Sequence, residues 1–409
     1  MKSPSRPIIR HMASAYGPPA IITGTLAAFV GFASSFAVVL QGLRAAGASE
    51  QLAASGLMAA AIAMGLAGIV LSLRTKMPIS CAWSTPGAAL LALGVGGATA
   101  ANQPDFAASV GSFIICGLLI VLAGLWKPLA KAVARIPGPL ANAMLAGILL
   151  SLCLAPFRAI AFDWALGLPI LVAWVIGTRI NRYLGVPFAL VAFVVVLIFG
   201  VPFPDSWLDR LSAALMPEPV FTMPRFELAS ILSVGLPLFI VTMASQNIPG
   251  LAVLKANNYT PTGGPLISAT GVFSLLAAPF GSLAVNLAAI TAAMMASDDA
   301  GPDPAKRYGA AVICGVVYII FGLFAGTVVA FVTLAPAVLI EAVAGLALIG
   351  AFSTAALAAF KDEALRIPAA VTFLASASGL TLFGVGGAPW GLLVGVVLAA
   401  VQGHKFSKA

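Results

Sequence analysis

The sequence predicts an all-α polytopic membrane protein, and its composition and the length of its apolar runs lead to that prediction. Of 409 residues, 61% are hydrophobic and 8% are charged, with a mean hydropathy of +1.07. A water-soluble domain needs more polar residues than this to cover its surface. Spans of about 20 apolar residues give roughly 12 to 14 crossings. The only long polar stretch is 202–227, so no soluble domain is expected.

The chain divides into fourteen predicted helices. They are 18–44, 50–73, 84–99, 106–126, 137–156, 164–181, 184–201, 227–256, 264–279, 281–297, 307–332, 334–358, 364–383 and 387–403. The third and tenth are short and follow stretches rich in Pro, Gly and Ser, at 77–87 and 278–282. Both stretches are typical of extended chain that leads into a half-helix.

The net charge of +8 is interpreted as topology information, because basic residues are scattered singly rather than clustered as on a nucleic-acid-binding face. If both termini are cytoplasmic, the outside keeps only Arg44, Arg158, Arg210 and Arg225 of the 21 basic residues. That split follows the positive-inside rule.

The polar stretch leaves seven predicted segments on each side, so the second half must be inserted upside down relative to the first. Short echoes recur in order: 33–35 resembles 244–246, 145–148 resembles 343–346, and 165–169 resembles 364–368. Together they predict a 7+7 inverted repeat.

Half-helices at the third position of each repeat predict an anion site near the bilayer midplane. Their N-termini would face one another, each with unpaired N–H groups and about half a positive charge. The first predicted terminus is Ser84, Thr85, Pro86 and Gly87, and the second is Phe280, Gly281 and Ser282. The alternative is that Pro and Gly only kink two packed helices; their equivalent places in both halves favour the anion site.

Polar and aromatic residues near these termini complete the predicted site. Gln246 and Asn247 are adjacent amides in a membrane-grade apolar run, where an unsatisfied polar group costs several kcal/mol. They are expected to contact a ligand, with helix–helix hydrogen bonding as the alternative. Asn286 could contact the ligand or bridge to a neighbouring helix. Trp83 and Phe280 are predicted to form the walls.

Glu341 is the one carboxylate predicted to be embedded. It is a candidate for proton coupling, although it could equally reach the outer surface. His11 and His404 lie near the two ends of the sequence, so no Ser–His or Cys–His pair and no His-based metal site is expected within the membrane. No Gly-rich phosphate loop is present. The sequence therefore predicts no enzyme, no cofactor and no ATP-driven pump.

Three stretches resemble the bacterial benzoate/proton symporter (BenE) family: Thr242–Tyr259, Asn286–Ala293 and Pro302–Tyr308. The likeness extends along essentially the whole chain. It implies a secondary transporter in the bacterial inner membrane that takes up benzoate or a similar aromatic carboxylate together with a proton. The wider relatives are the nucleobase-cation symporters and the sulfate-permease/prestin group, whose fold has seven plus seven helices in a core and a gate domain.

Carried onto this chain, the resemblance implies a core of 1–126 and 227–332, a gate of 127–203 and 333–409, and a periplasmic connector at 204–226. The substrate region would involve 84–87, 245–247 and 280–282. Nucleobase carriers of this fold have carboxylates where this chain has Ser245/Gln246 and Ser282, and neutral donors suit an anion instead. Many family members have a histidine where this chain has Leu283, which leaves the proton route open.

Other functions stay open at this point: a carrier for another organic anion or a nucleobase, an anion channel, or an inert membrane scaffold. The expected partners are the aromatic acid, a proton and the lipid bilayer, with no nucleic acid. A homodimer is not excluded.

Overall fold

The computed structural model describes residues 15–93, 105–126, 128, 136–181, 184–202, 212, 214, 217–382 and 385–403. These residues are mostly helical, and among them eight helices are long and apolar enough to cross a membrane. The hydrocarbon core of a membrane contains no water that could hydrogen-bond the backbone. A spanning segment must therefore pair its own N–H and C=O groups, as a helix does.

The first half contains nine helices and one short strand among its described residues. They are α1 (Pro18–Ala33), α2 (Phe36–Ala45), α3 (Glu50–Thr75), β1 (Cys81–Trp83), α4 (Thr85–Ala92), α5 (Phe106–Leu125), α6 (Gly138–Cys153), α7 (Ala155–Phe162), α8 (Trp164–Ile180) and α9 (Gly185–Gly200). Side-chain oxygens of Ser49, Asp105 and Asp163 cap α3, α5 and α8, which satisfies N–H groups that a helix start leaves free.

The second half contains the remaining elements. They are α10 (Leu228–Ala256), α11 (Gly263–Ala277), β2 (Val285–Leu287), α12 (Ile290–Ala296), α13 (Tyr308–Leu323), α14 (Ala325–Val332), α15 (Ala337–Phe360), α16 (Arg366–Ala377), β3 (Thr381–Leu382), β4 (Val385–Gly386) and α17 (Gly387–Val401).

Two predicted helices are irregular at the positions that the echoed motif shares. The first predicted helix breaks between α1 and α2, where the hydroxyls of Ser34 and Ser35 donate to the Gly31 carbonyl. Helix α10 widens into π-helix at Ile231–Gly235 and at Met243–Asn247. The second widening directly precedes Pro249, whose missing N–H removes a helical hydrogen bond.

Several predicted boundaries are wrong. The tenth segment is not helical over 281–289, because it contains β2 and its helix begins only at Ile290. The thirteenth ends at Ala377 and is followed by the β3–β4 hairpin. The fifth segment continues as α7, and the eleventh is interrupted at Phe324. Residues 94–99 of the third segment and residues 204–211, 213, 215 and 216 of the 204–226 connector lie outside the described residues.

The helices pack in two sets. Helices α6–α9 and α15–α17 contact mainly one another, with α6 against α15 and α16. The others form a second set, in which α3 packs on α13 and α5 packs on α11. The sets meet where α2 contacts α15, and where α6 contacts α4 and the π-helical part of α10.

Polar contacts collect at the two ends of the bundle. At one end Arg225 pairs with Asp105 and with Glu227, and Thr333 donates to Glu50. At the other end lie Lys76 and the residues between α12 and α13, because α3 runs from Glu50 at the first end to Thr75 at the second. The apolar middle lies between these ends.

Candidate functional site

A two-stranded antiparallel ribbon lies where β1 crosses β2. Cys81 pairs with Leu287, Ala82 with Asn286 and Trp83 with Val285. Each strand leads directly into a short helix, β1 into α4 and β2 into α12. Because the strands are antiparallel, the two helices leave the ribbon in opposite directions and their N-termini lie at its two ends. Two short helices therefore start beside the ribbon, although the second starts at Ile290 and not at the predicted Phe280–Ser282.

Side chains accept hydrogen bonds from the backbone N–H groups of β2 that point away from β1. The Val285 N–H donates to the Ser274 hydroxyl at 2.8 Å, and the Leu287 N–H donates to Asn247 Oδ1 at 2.9 Å. Ser274 and Asn247 are both buried. Extended chain at membrane depth requires such partners, because an unpaired backbone donor there costs several kcal/mol. Asn247, predicted to contact a ligand, uses its carbonyl oxygen to hold the ribbon.

The N-terminus of α4 is capped and closely packed. Ser84 Oγ accepts from the Gly87 N–H at 3.2 Å and lies 2.7 Å from the Thr242 hydroxyl of α10. A Cβ at Gly87 would lie 2.1 Å from a Leu238 methyl carbon, so a side chain there would force Leu238 of α10 to move. Pro86 occupies the first turn, where its missing N–H has no cost. Half-buried Thr85 makes no side-chain hydrogen bond to any described residue.

The second half-helix begins at Ile290, so Phe280, Gly281 and Ser282 do not form its first turn as predicted. Phe280 ends a 3-10 turn that closes α11, and Gly281 has a φ of +88°. The Phe280 carbonyl accepts from Ser55, near the Asp105 end of the bundle, and the buried Ser282 hydroxyl donates to the Leu283 carbonyl. The start of α12 has no side-chain cap, and Ile290 is 64% exposed.

Gln246 lies on α10 close in sequence to the residues that contact the α4 cap and the ribbon. It follows Thr242, which contacts Ser84, by about one turn of α10, so the two side chains share a face. The next residue, Asn247, bonds the ribbon. Gln246 is half-buried, and no described residue hydrogen-bonds its amide. An amide at membrane depth without a protein partner faces a wet cavity or a ligand.

Trp83 and Asn286 occupy the ribbon itself. Trp83 is 1% exposed, donates from Nε1 to Ser35 Oγ at 2.8 Å and packs on Phe32, with ring centroids 5.1 Å apart. Asn286 Nδ2 donates to the carbonyl of Ala82, its cross-strand partner in β1. Its Oδ1 is buried and has no hydrogen-bond partner among the described residues.

Glu341 lies apart from the ribbon, in the second turn of α15. It is half-buried and forms neither an ion pair nor a hydrogen bond within the described part of the chain. Sequence reasoning missed Ser35, Thr242 and Ser274, which hold the ribbon and the α4 cap. Their one available signal was a hydroxyl within an apolar helix, and this signal occurs at many other positions of the chain.

The chain matches known proteins along almost its whole length. A family model described as "Benzoate membrane transport protein" (BenE) matches residues 14–401. The chain is 38% identical over 388 residues to "Inner membrane protein YdcO" of Escherichia coli, covering 94% of this chain and 96% of that protein. It is 32% identical over 383 residues to "Benzoate membrane transport protein" of Acinetobacter baylyi, covering 92% and 93%.

Solved structures share the fold at low identity. The transmembrane domain of a cyanobacterial bicarbonate transporter, BicA, aligns with a TM-score of 0.54 at 17% identity, covering 93% of this chain and 97% of that one. The structure of SLC26A9 aligns with a TM-score of 0.58 at 15% identity, covering 93% of this chain. This chain spans 65% of the length of that protein.

The family match and the named relative identify the chain as a helical membrane transporter rather than an enzyme. Within that class, the chain belongs to the BenE family of benzoate membrane transport proteins.

Proposed function

We propose that the protein is a secondary active transporter that imports benzoate or a similar aromatic carboxylate by proton symport with alternating access. The observation that carries this proposal is the amide of Gln246, which no described residue hydrogen-bonds and which adjoins the α10 residues that contact the α4 cap and the ribbon. Its N–H groups are free to donate to a carboxylate, and hydrogen bonds to a charged group are worth about 1.5–3 kcal/mol each. The Acinetobacter baylyi relative, named for benzoate transport, supports the choice of ligand.

The charge of the surrounding sequence favours an anion. No charged residue occurs in 18–43, 77–93, 228–254 or 263–297, the stretches that build the ribbon and its flanks. A carboxylate would therefore meet hydrogen-bond donors without like-charge repulsion, which is strong in a low-dielectric interior. The Thr85 hydroxyl, at the start of α4, is a second donor that no described residue hydrogen-bonds. The uncapped start of α12 adds positive potential, although seven residues make a small dipole.

The aromatic ring is proposed to lie on the Trp83 side of the site. Phe32 packs on Trp83, Phe36 and Phe321, with ring centroids 5.0–5.8 Å apart. That cluster makes this side apolar and rich in ring edges and faces, which aromatic ligands pack against. Phe280 is left out of the proposed wall, because its ring packs on Phe221.

The two sets of helices are proposed to be the core (1–126 and 227–332) and the gate (127–203 and 333–409), joined by the 204–226 connector, with fourteen segments in a 7+7 inverted repeat. The helix contacts support this arrangement. When each helix is replaced by its equivalent in the other half, the α3–α13 contact becomes the α11–α5 contact, and the α1–α12 contact becomes the α10–α4 contact. Movement of the core against the gate would alternate access. Both termini are proposed to be cytoplasmic in a bacterial inner membrane.

Glu341 is the proposed proton-coupling residue, because it is a half-buried carboxylate on a helix of the proposed gate and pairs with no cation among the described residues. Entry of a proton with the anion would make transport electrically neutral. A homodimer stays a prediction.

Uptake of labelled benzoate into proteoliposomes tests the assignment. Gln246→Ala is expected to weaken apparent affinity about 10- to 100-fold, because it removes 1.5–3 kcal/mol of charge-assisted hydrogen bonding. Gln51→Ala, the same change at an exposed position of α3, is the matched control and should transport like the wild type. Equal affinity in both variants would remove Gln246 from the site.

Competition separates the rival ligands. Unlabelled aromatic acids should suppress uptake, whereas uracil, sulfate and aliphatic acids should not. Suppression by uracil would favour a nucleobase carrier. A linear, non-saturating flux without pH dependence would favour an anion channel.

A further inference from the structure

The resemblance motif Pro302–Tyr308 takes no part in the substrate site, yet it contains the one buried charge among the described residues. Arg307 is 7% exposed. Its Nε donates to the Gly301 carbonyl at 2.8 Å, its Nη1 to the Ala296 carbonyl at 2.5 Å, and its Nη2 to the Asp298 carboxylate. A buried cation needs such pairing, since isolated burial is very costly.

The contact with Ala296 reaches the far end of α12. Ala296 is the last residue of that helix, and its carbonyl is one of those that a helix end leaves unpaired. A cation at a helix C-terminus also interacts favourably with the helix dipole. Because α12 has only seven residues, few internal hydrogen bonds hold it, and its end contacts matter more than those of a long helix.

The α12–α13 loop (residues 297–307) also connects to the other parts of the site. The Tyr259 hydroxyl, just beyond α10, donates to the Pro304 carbonyl at 3.0 Å, and Thr23 of α1 donates to the Asp299 carbonyl at 2.8 Å. Lys76 lies 4.5 Å above the Tyr308 ring. Lys76 ends α3 in a left-handed conformation, five residues before β1. The segments that carry β1, β2 and Gln246 are thus all tied to one end of the bundle.

We propose that Arg307 is a positioning residue for the substrate site. It fixes the C-terminal end of α12 and thereby the ribbon to which α12 is joined, and it does so without touching the ligand. Loss of this anchor lets α12 and β2 shift relative to Gln246, which weakens binding because site geometry must be held closely. The expected loss of ligand binding rests on the proposed function, whereas the expected loosening of α12 does not.

The direct test is hydrogen–deuterium exchange on purified Arg307→Gln, Arg307→Lys and wild-type protein. Arg307→Gln should speed exchange in peptides covering 285–296 about tenfold or more, with 337–360 unchanged, since local opening is independent of distant elements. Arg307→Lys keeps the charge without the planar fork and should restore part of the protection. Should Arg307→Gln fold poorly, Asp298→Asn removes the negative charge that faces Nη2 and should cause a smaller change in the same peptides.

Benzoate uptake supplies the functional readout. Arg307→Gln should raise KM about tenfold, whereas a purely structural role would lower the amount of folded protein and leave KM unchanged. Arg366→Gln, at an exposed ion pair with Glu363, is the matched control. Unchanged exchange in 285–296 would overturn the proposal. If Arg307→Gln speeds exchange in 285–296 but the wild-type protein takes up no benzoate, the proposed function is refuted, whereas the anchoring of α12 by Arg307 is supported.

Discussion

Asn247 gives the sharpest test of how the ribbon is held. Its Oδ1 accepts from the Leu287 N–H at 2.9 Å, and the residue is fully buried. Asn247→Ala leaves that N–H without a partner, which costs about 1–3 kcal/mol, and a small cavity adds to the loss. Large domains lose about 2–4 °C of Tm per kcal/mol. We therefore expect a fall of several degrees.

The assay is thermal unfolding of purified protein, with and without benzoate. Asn257→Ala is the matched control: it makes the same chemical change at the end of the same helix, where Nδ2 donates only to the Val253 carbonyl. That variant should lie within about 0.5 kcal/mol of the wild type. Equal Tm values for the two variants, combined with weaker benzoate binding by Asn247→Ala alone, would refute the structural role and make Asn247 a ligand contact.

Three further predictions concern packing, capping and pH. Gly42→Ala should sharply reduce the yield of folded protein in size-exclusion chromatography, because its Cβ would lie 2.5 Å from the Ala88 carbonyl oxygen. Gly350→Ala, whose Cβ would meet nothing within 4 Å, should leave that yield unchanged. Ser84→Ala should lower stability by about 1 kcal/mol through loss of the α4 cap, seen as a lower Tm. Burial raises the pKa of the Tyr259 phenol, so its stabilising effect should be complete below about pH 10 and fall as pH rises toward the raised value. A melting series against Tyr259→Phe checks this, and a loss near neutral pH would contradict it.

Composition and Pro/Gly placement allowed much of the fold to be predicted, but not where the second half-helix begins. Apart from Asn286, the run Leu283–Ala289 is apolar, and it is rich in residues that favour helix. It is extended because β1 pairs with it and because Ser274 and Asn247 satisfy its free edge. These partners are distant in sequence, so local propensity gave no sign of them. Consequently Phe280–Ser282 were predicted as a helix start that lies at Ile290 instead.

The candidate site was predictable by residue type more than by role. Gln246 and Asn247 are adjacent amides, and nothing in the sequence distinguishes them. Only packing shows that Asn247 bonds the ribbon while Gln246 keeps a free amide. The same holds for Trp83, which is polar enough to contact a ligand yet gives its N–H to Ser35. Which polar atoms stay free is a property of the assembled contacts.

The echoed motif explains why the proposed ligand contact lies on one side of the ribbon. Ser35 and Gln246 hold equivalent places in the two predicted repeats, and each lies beside a helix irregularity that flanks the crossing. In the first half, the Ser35 hydroxyl is occupied by Trp83. In the second half, Asn247 takes over the ribbon contact and leaves its neighbour free. A symmetric use of both positions would pair the Gln246 amide as well, so departure from the predicted repeat leaves this amide open to the proposed anion.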